Sequence, residues 1–328
     1  MGKIDISGLK EKLEACRNAK AALVSHSIGD ADFIGSAIAL SEYMPNSKIV
    51  VQDKLSAKVE NILRANGFDT NFPNGIADAD MVIMLDVNDF GGCGALAAEL
   101  SSTNKEILII DHHYPKEAEG ENVTVFDDEH YSSTSNIIYL ALKEIGAPPS
   151  ARAAKMLLIG IISDSAELIN STPATFLDIS EILEMTGLDY ATISNEISYT
   201  LKPKERIDVI NSICSAQKET IGGELFVYGE SKLPAHMTAD FAIKIGADIA
   251  LFYSSYKEEI SFSARMHNST EKKYKIHLGK IMSEISGRIG GNGGGHSCAA
   301  GSYGPKKEGY ADFISGFKES LAKKIVIR

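Results

Sequence analysis

Four short, nearly unbroken apolar runs lie within the first 110 residues: Ala21–Ser25 (AALVS), Ser47–Val51 (SKIVV), Met81–Val87 (MVIMLDV) and Glu106–Ile110 (EILII). Strands without polar alternation are buried on both faces. Helical patterns separate these runs, among them Ile34–Met44 and Ser56–Asn66. Buried strands alternating with helices predict an α/β fold, a parallel sheet with helices on both faces. A helix-rich stretch follows from about Thr134 to Leu201, with Gly146-Ala-Pro-Pro-Ser150 dividing two of its helices.

The character changes after Lys202-Pro-Lys-Glu-Arg206. Glu219–Tyr228 reads as a hairpin turning at Gly222-Gly223, and Ala247–Tyr256 with Glu258–Met266 as a further strand pair. A helix is predicted from about Lys275 to Ile289, ahead of a glycine-rich loop over Gly290–Gly295. We therefore expect two domains, residues 1–200 with a helical linker at the end, and a smaller α/β domain over 210–328, facing each other across a cleft.

Composition narrows the function classes. The net charge of −11 argues against a protein that coats long nucleic acid through phosphate contacts. No apolar run approaches the length of a membrane span, and the opening MGKIDISGLKEKLEAC has the pattern of an amphipathic helix rather than a signal peptide. Cys16, Cys93, Cys214 and Cys298 form no C-x-x-C pair and read as reduced thiols of a cytoplasmic protein.

In a parallel sheet, ligands bind in the crevice at the carboxyl ends of the strands. Three such ends carry metal-ligand residue types here. His26, Asp30 and Asp32 follow the first run, Asp86 ends the third, and Asp111-His112-His113 follows the fourth. Asp164 comes after the apolar segment Met156–Ile162. Any one of these alone is explained as well by a helix cap or a core histidine, and Asp30 or Asp32 is placed to cap the helix near Ile34. Gathered at one edge, however, two imidazoles and four carboxylates would be costly without a cation, because the carboxylates repel. Mixed oxygen and imidazole donors suit Mn²⁺, Mg²⁺ or Fe²⁺. Six ligands suffice for two ions about 3.5–4 Å apart if one carboxylate bridges, and such a pair makes hydroxide available at neutral pH. His113, beside a ligand, is a candidate for polarising a phosphate or protonating a leaving group.

These motifs, in this order, resemble the DHH phosphoesterases, whose name is the triplet seen as Asp111-His112-His113. The likeness takes in His26-x-x-x-Asp30-x-Asp32, Asp86 and Gly160-Ile-Ile-Ser-Asp164. Gly293-Gly294-Gly295-His296-Ser-Cys-Ala-Ala-Gly301 resembles the signature of the DHHA1 domain, and Ser263-Ala-Arg265 the strand that supplies its arginine. The resemblance implies one ion on His26, Asp30 and Asp86. A second is implied on Asp32, Asp86, His112 and Asp164, with Asp86 bridging. It also implies a phosphate grip by Arg265, Gly293, Gly294, Gly295 and His296, and glycines do let backbone N–H groups approach an anion closely. The segment Ser163-Asp-Ser-Ala-Glu-Leu168 departs from the family's T-D-T-G or T-D-S-G.

A DHH–DHHA1 chain of this length looks most like the nanoRNase/pAp phosphatase group, which acts on very short oligonucleotides and on 3′-phosphoadenosine 5′-phosphate. Alternatives are a RecJ-like single-strand exonuclease, a linear or cyclic dinucleotide phosphodiesterase and, last, a non-catalytic scaffold. The resemblance implies two divalent ions with manganese first, a short single-stranded oligonucleotide or nucleotide substrate, no membrane, and a homodimer. His130, His236, His267 and His277 match no motif and read as surface or structural residues.

Overall fold

The four apolar runs of the first 110 residues do pair as strands, all in parallel. A computed structural model describes residues 5–27, 29–52, 55–113, 120–165, 167–197, 201–256, 259–305 and 309–326. The chain divides into two compact units, residues 1–199 and 200–328.

The first unit runs α1 (Ile6–Cys16), β1 (Ala21–Val24), α2 (Ala31–Tyr43), β2 (Lys48–Ile49), α3 (Ala57–Ala65) and β3 (Met81–Leu85). It continues with α4 (Ala97–Ser102), β4 (Glu106–Asp111), β5 (Val123–Asp127), α5 (Thr134–Ile145), α6 (Ala151–Asp164), α7 (Pro173–Thr186) and α8 (Tyr190–Ile197). The sheet has the order β2-β1-β3-β4-β5. Each central strand divides its side chains between two cores. Leu23, Ile83, Leu108 and Ile110 join α1, α2, α5 and α6 on one face. Val24, Met84, Ile107 and Ile109 meet Phe90, Cys93, Leu96 and Leu100 on the other. Burial on both sides is why these strands show no alternation.

The second unit runs α9 (Pro203–Ser215), β6 (Gln217–Ile221), β7 (Glu224–Glu230), α10 (Ala235–Lys244), β8 (Ile249–Tyr256) and β9 (Glu259–Met266). Then come α11 (Asn268–Tyr274), α12 (Leu278–Ile285), β10 (Asn292–Gly295), β11 (Ala299–Pro305) and α13 (Tyr310–Val326). Its mixed sheet has the order β10-β11-β9-β8-β7-β6. Only β7 and β8 pair in parallel, joined through α10.

Three sequence expectations are corrected. The helix expected from Lys275 starts at Leu278, because Lys275 takes a left-handed φ of 55° that ends α11 and His277 caps α12 through its side chain. The glycine-rich stretch expected as a loop contains a strand, since Asn292–Gly295 pairs antiparallel with β11 from Ala300 to Tyr303. Strand β5, not anticipated, is the half-buried edge of the first sheet. Glu258 and Ala166 lie outside the described residues. Among the described residues no helix is long and apolar enough to cross a membrane.

Candidate metal centre

The carboxyl ends of β1, β3 and β4 supply most of the polar cluster, and each residue reaches it for a local reason. Asp30 is the N-cap of α2: its Oδ1 accepts from the backbone N–H of Asp32 at 2.9 Å and of Phe33 at 3.1 Å. That leaves Oδ2 facing His26 Nε2 at 3.7 Å. Asp30 thus combines the capping role with a position in the cluster. Asp86 follows β3 with φ at 60°, a left-handed conformation that costs a non-glycine residue energy and is concentrated at functional sites. Its Oδ2 lies 3.6 Å from His26 Nε2 and its Oδ1 3.4 Å from His112 Nε2. Asp164, at the end of α6, brings Oδ2 to 3.0 Å from His112 Nε2.

Asp32 is held by a helix it does not belong to. The first backbone N–H groups of α5 point at its carboxylate, Thr134 to Oδ2 at 2.7 Å and Ser135 to Oδ1 at 2.8 Å. The positive end of α5 therefore seats a buried negative charge. Gly160 permits this seat, because a Cβ there would lie 2.3 Å from Ser135 Oγ and 3.0 Å from Asp32 Oδ1.

Ligand atoms gather in three groups, each with all members within 4.8 Å: His26, Asp30 and Asp86; Asp32, His112 and Asp164; and Asp86, His112 and His113. Asp86 Oδ1 and His112 Nε2 are buried and, although 3.4 Å apart, neither makes a hydrogen bond of proper geometry, with the other or with Asp164. Orphaned buried polar atoms of opposite kind, flanked by more carboxylates, are what a cation would satisfy. The donor set fits a divalent ion with oxygen and imidazole preference.

The charge balance points the same way. Asp30 and Asp86 raise His26 to about 10. Burial works against protonation of His112, but the Asp164 and Asp86 carboxylates outweigh it and push the imidazole up to about 11. Burial, reinforced by the carboxylates of Asp86 and Asp164, raises Asp32 well above its ordinary range. Without metal, this cluster holds itself together with protons that ligation must displace. Metal binding at pH 7 is therefore expected to release at least one proton per chain, so that Mn²⁺ affinity rises about tenfold per pH unit for each proton released. Calorimetric titrations in buffers of differing ionisation enthalpy check this, and a buffer-independent heat would contradict it.

His113 stands apart. Its side chain is 52% exposed, and its Nδ1 lies 2.8 Å from Oδ1 of Asp111, which is fully buried. The Asp111 carboxylate holds the imidazole above its usual range. This anchor, a member of the triplet, was not singled out in the sequence as acting on His113. The i, i+2 spacing at a strand end was the available signal.

In the second unit, Arg265 lies on β9, paired with Ala299 of β11 and Ala250 of β8. Its Nε donates to Asp240 Oδ1 on α10 at 2.6 Å, a partner sequence reasoning missed. The three signature glycines differ in purpose. A Cβ on Gly293 would meet Ser302 Oγ at 2.2 Å and the Met282 carbonyl oxygen at 2.6 Å, and Gly295 has φ at 130° with the Ala299 oxygen 2.7 Å from such a Cβ. These two let β10 lie against α12 and β11. Gly294 has open space beside it, and exposed His296 follows on the same segment. Replacing Gly293 with alanine should cost about 1–3 kcal/mol through overpacking. Gly294→Ala should stay within about 0.5 kcal/mol. Denaturant unfolding distinguishes the two, and equal losses would contradict the division. His267 and His277 cap α11 and α12, as structural residues.

Comparisons with known proteins agree with this architecture. Residues 20–161 match the DHH family, N-terminal domain, and residues 231–323 match the DHHA1 domain. An uncharacterized protein of Methanocaldococcus jannaschii is 27% identical over 325 residues, covering 96% of this chain and 94% of its own. A probable manganese-dependent inorganic pyrophosphatase of Streptococcus suis is 26% identical over 219 residues, covering 57% of this chain and 69% of its own. The crystal structure of an exopolyphosphatase-related protein from Bacteroides fragilis shares the fold with a TM-score of 0.81 at 17% identity, over 98% of this chain and 96% of that one.

Proposed function

This chain, with a DHH-family N-terminal domain followed by a DHHA1 domain, belongs to the DHH–DHHA1 phosphoesterase superfamily, and we propose that it is a two-metal hydrolase of short oligonucleotides or small phosphorylated nucleotides such as pAp. The observation that carries this reading is the sharing of Asp86 between two groups of ligand atoms, with its Oδ1 buried and making no hydrogen bond of proper geometry. His26, Asp30 and Asp86 would hold one ion. Asp32, Asp86, His112 and Asp164 would hold the other. Manganese is the first choice, on the donor chemistry and on the likeness to a manganese-dependent pyrophosphatase. Bound there, divalent cations supply Lewis acidity toward a phosphoryl oxygen and an attacking water.

The chain's own residues do the remaining work. The N-terminus of α5 fixes Asp32, and the cap of α2 fixes Asp30, so two ligands are preorganised by backbone N–H groups. Asp111 holds His113 through Nδ1, which would leave Nε2 as the nitrogen that donates a proton to a leaving oxygen. Arg265, Gly294 and His296 are the proposed phosphate contacts of the DHHA1 unit, with Asp240 orienting the guanidinium.

Short substrates are favoured over long ones by the net charge of −11, which opposes the tracking of a long polyanion. A hydrolysis panel with Mn²⁺ tests the reading: dinucleotides, 5-mers and 20-mers of one sequence, in RNA and DNA, with pAp and pyrophosphate beside them. Substrates of about 2–5 nucleotides are expected to exceed 20-mers by roughly tenfold in kcat/KM, equivalent to about 1.4 kcal/mol of differential transition-state binding. Equal rates on 20-mers would replace this reading with a RecJ-like exonuclease.

A further inference from the structure

The first turn of α5 is polar, buried and bonded outward. Ser133, Thr134 and Ser135 are fully buried and Asn136 is 1% exposed. The first backbone N–H groups of a helix have no partner within it and must find one elsewhere. Those of Thr134 and Ser135 donate to the Asp32 carboxylate, and that of Asn136 donates to the cap, Ser133 Oγ, at 3.1 Å. Ser135 also donates its hydroxyl to the Asp32 carbonyl oxygen at 3.1 Å. Asp32 is therefore placed by α5 at its backbone and at both carboxylate oxygens, so a tilt of this turn displaces Asp32.

The turn is held in its place by α7. Asn136 Nδ2 donates to Asp178 Oδ2 at 2.7 Å, and Thr175, one turn earlier on α7, donates to Asn136 Oδ1 at 3.4 Å. The amide faces this way because an ionised carboxylate only accepts. Ser132, just ahead of the cap, shares a hydrogen bond with Thr175 Oγ1 at 2.9 Å and closes the network. Further along the same two helices, Tyr139 and Lys143 of α5 both donate to Glu181 Oε2 on α7. The two ends of this seam differ, since Glu181 is 45% exposed and Asp178 is buried at 7%. Apolar side chains would pack α5 on α7 with less desolvation than a buried carboxylate and amide. A bonded polar network instead fixes one arrangement. The arrangement fixed here brings two N–H groups within 2.8 Å of the two oxygens of one carboxylate.

We propose that Asp178 is a positioning residue for the metal position that Asp32 serves: through Asn136 it holds the first turn of α5, and through that turn it holds Asp32. The inference rests on the two-metal reading above. Asp178 belongs to none of the ligand groups among the described residues. Its effect falls on the ion of Asp32, Asp86, His112 and Asp164, and not on the ion of His26, Asp30 and Asp86, whose Asp30 is fixed by the cap of α2.

Two readouts test it, in wild type, Asp178→Ala, Asn136→Leu/Asp178→Leu and Glu181→Gln. The double variant replaces both partners by apolar groups, which is close to neutral for stability. Glu181→Gln removes one negative charge from the same seam and so controls for charge. The first readout is calorimetric titration of metal-stripped protein with Mn²⁺. Asp178→Ala and the double variant should weaken one binding event roughly tenfold, the scale of an outer partner of a metal ligand, and leave the other within about twofold. The weakened event should be the one that His112→Ala abolishes. Glu181→Gln should leave both events unchanged. The second readout needs no metal: amide hydrogen exchange at Thr134 and Ser135 should quicken roughly tenfold in both Asp178 variants and hold steady in Glu181→Gln. Wild-type affinities and exchange in Asp178→Ala, or equal weakening of both binding events, would overturn the inference by reducing Asp178 to a contact of the fold. Wild-type behaviour of the double variant would overturn it too, by making packing alone sufficient. Absence of Mn²⁺ binding to wild type would instead overturn the two-metal reading, and the exchange rates would then decide whether Asp178 holds the turn.

Discussion

Replacement of Asp86 by alanine is expected to lower hydrolysis by more than about a thousandfold, or roughly 4 kcal/mol of transition-state stabilisation, in a protein that remains folded. Asp86 faces His26 through one oxygen and His112 through the other. It is the only residue common to the His26–Asp30 group and the His112–His113 group among the described residues. Its loss would empty both positions rather than weaken one. The fold should survive because burial, with the Asp30 carboxylate beside it, raises the Asp86 pKa against the pull of His112 and His26, so that its removal relieves a desolvation cost while giving up two imidazole contacts. Unfolding of the metal-free variant should therefore stay cooperative, within several degrees of the wild-type temperature. The stabilisation of wild type by Mn²⁺ should vanish from the variant. At a hundredfold excess over Kd that stabilisation is about 2.7 kcal/mol. Thermal melts with and without Mn²⁺, beside initial rates, read both effects. Retention of a tenth of the wild-type rate at saturating Mn²⁺ would falsify the assignment.

The second large effect is expected at the Asp111–His113 pair. His113→Gln removes Nε2 as a proton donor and should lower kcat by about a hundredfold, the scale of a single general acid. Mn²⁺ affinity should change little, because His26, Asp30, Asp32, Asp86, His112 and Asp164 remain. Asp111→Asn should lower kcat in the same direction by a smaller factor, because it leaves the imidazole in place while removing the charge that orients it. The shape of the kcat pH profile carries a further signature. Asp111 raises the pKa of His113, so the protonated donor persists to higher pH, and the alkaline limb should move to lower pH in Asp111→Asn. A loss of bound metal in His113→Gln would show that His113 ligates, as its proximity to Asp86 Oδ1 at 3.8 Å permits.

What was legible in the sequence follows from where the physics is local. The buried strands carry their signal in themselves, because burial on both faces leaves no polar residue to interrupt them, and the chemistry at their carboxyl ends sits within a few residues of each run. Asp30 was readable both as a cap and as a cluster member, and the structure uses it as both. Strand β5 was not legible: VTVFD is short and half-buried, at the edge of the sheet. The glycine segment read as a loop because its extended state comes from pairing with β11 and from the close approach of α12, with Gly279 leaving room for the Gly295 carbonyl oxygen. Partnerships that join distant segments were equally hidden. Nothing near Arg265 in the chain announces Asp240, and nothing near Asp32 announces the N-terminus of α5, a hundred residues on.

The central claim is that Asp86 joins two bound cations into one hydrolytic site, and one measurement addresses it most directly. Protein stripped with chelator is titrated with Mn²⁺ while cleavage of a dinucleotide and bound metal are followed in the same samples, for wild type and Asp86→Ala. The account predicts no cleavage without metal, full activity only as the second Mn²⁺ per chain binds, and neither full occupancy nor activity in the variant. Activity that saturates with a single Mn²⁺, or that persists in Asp86→Ala, would contradict it.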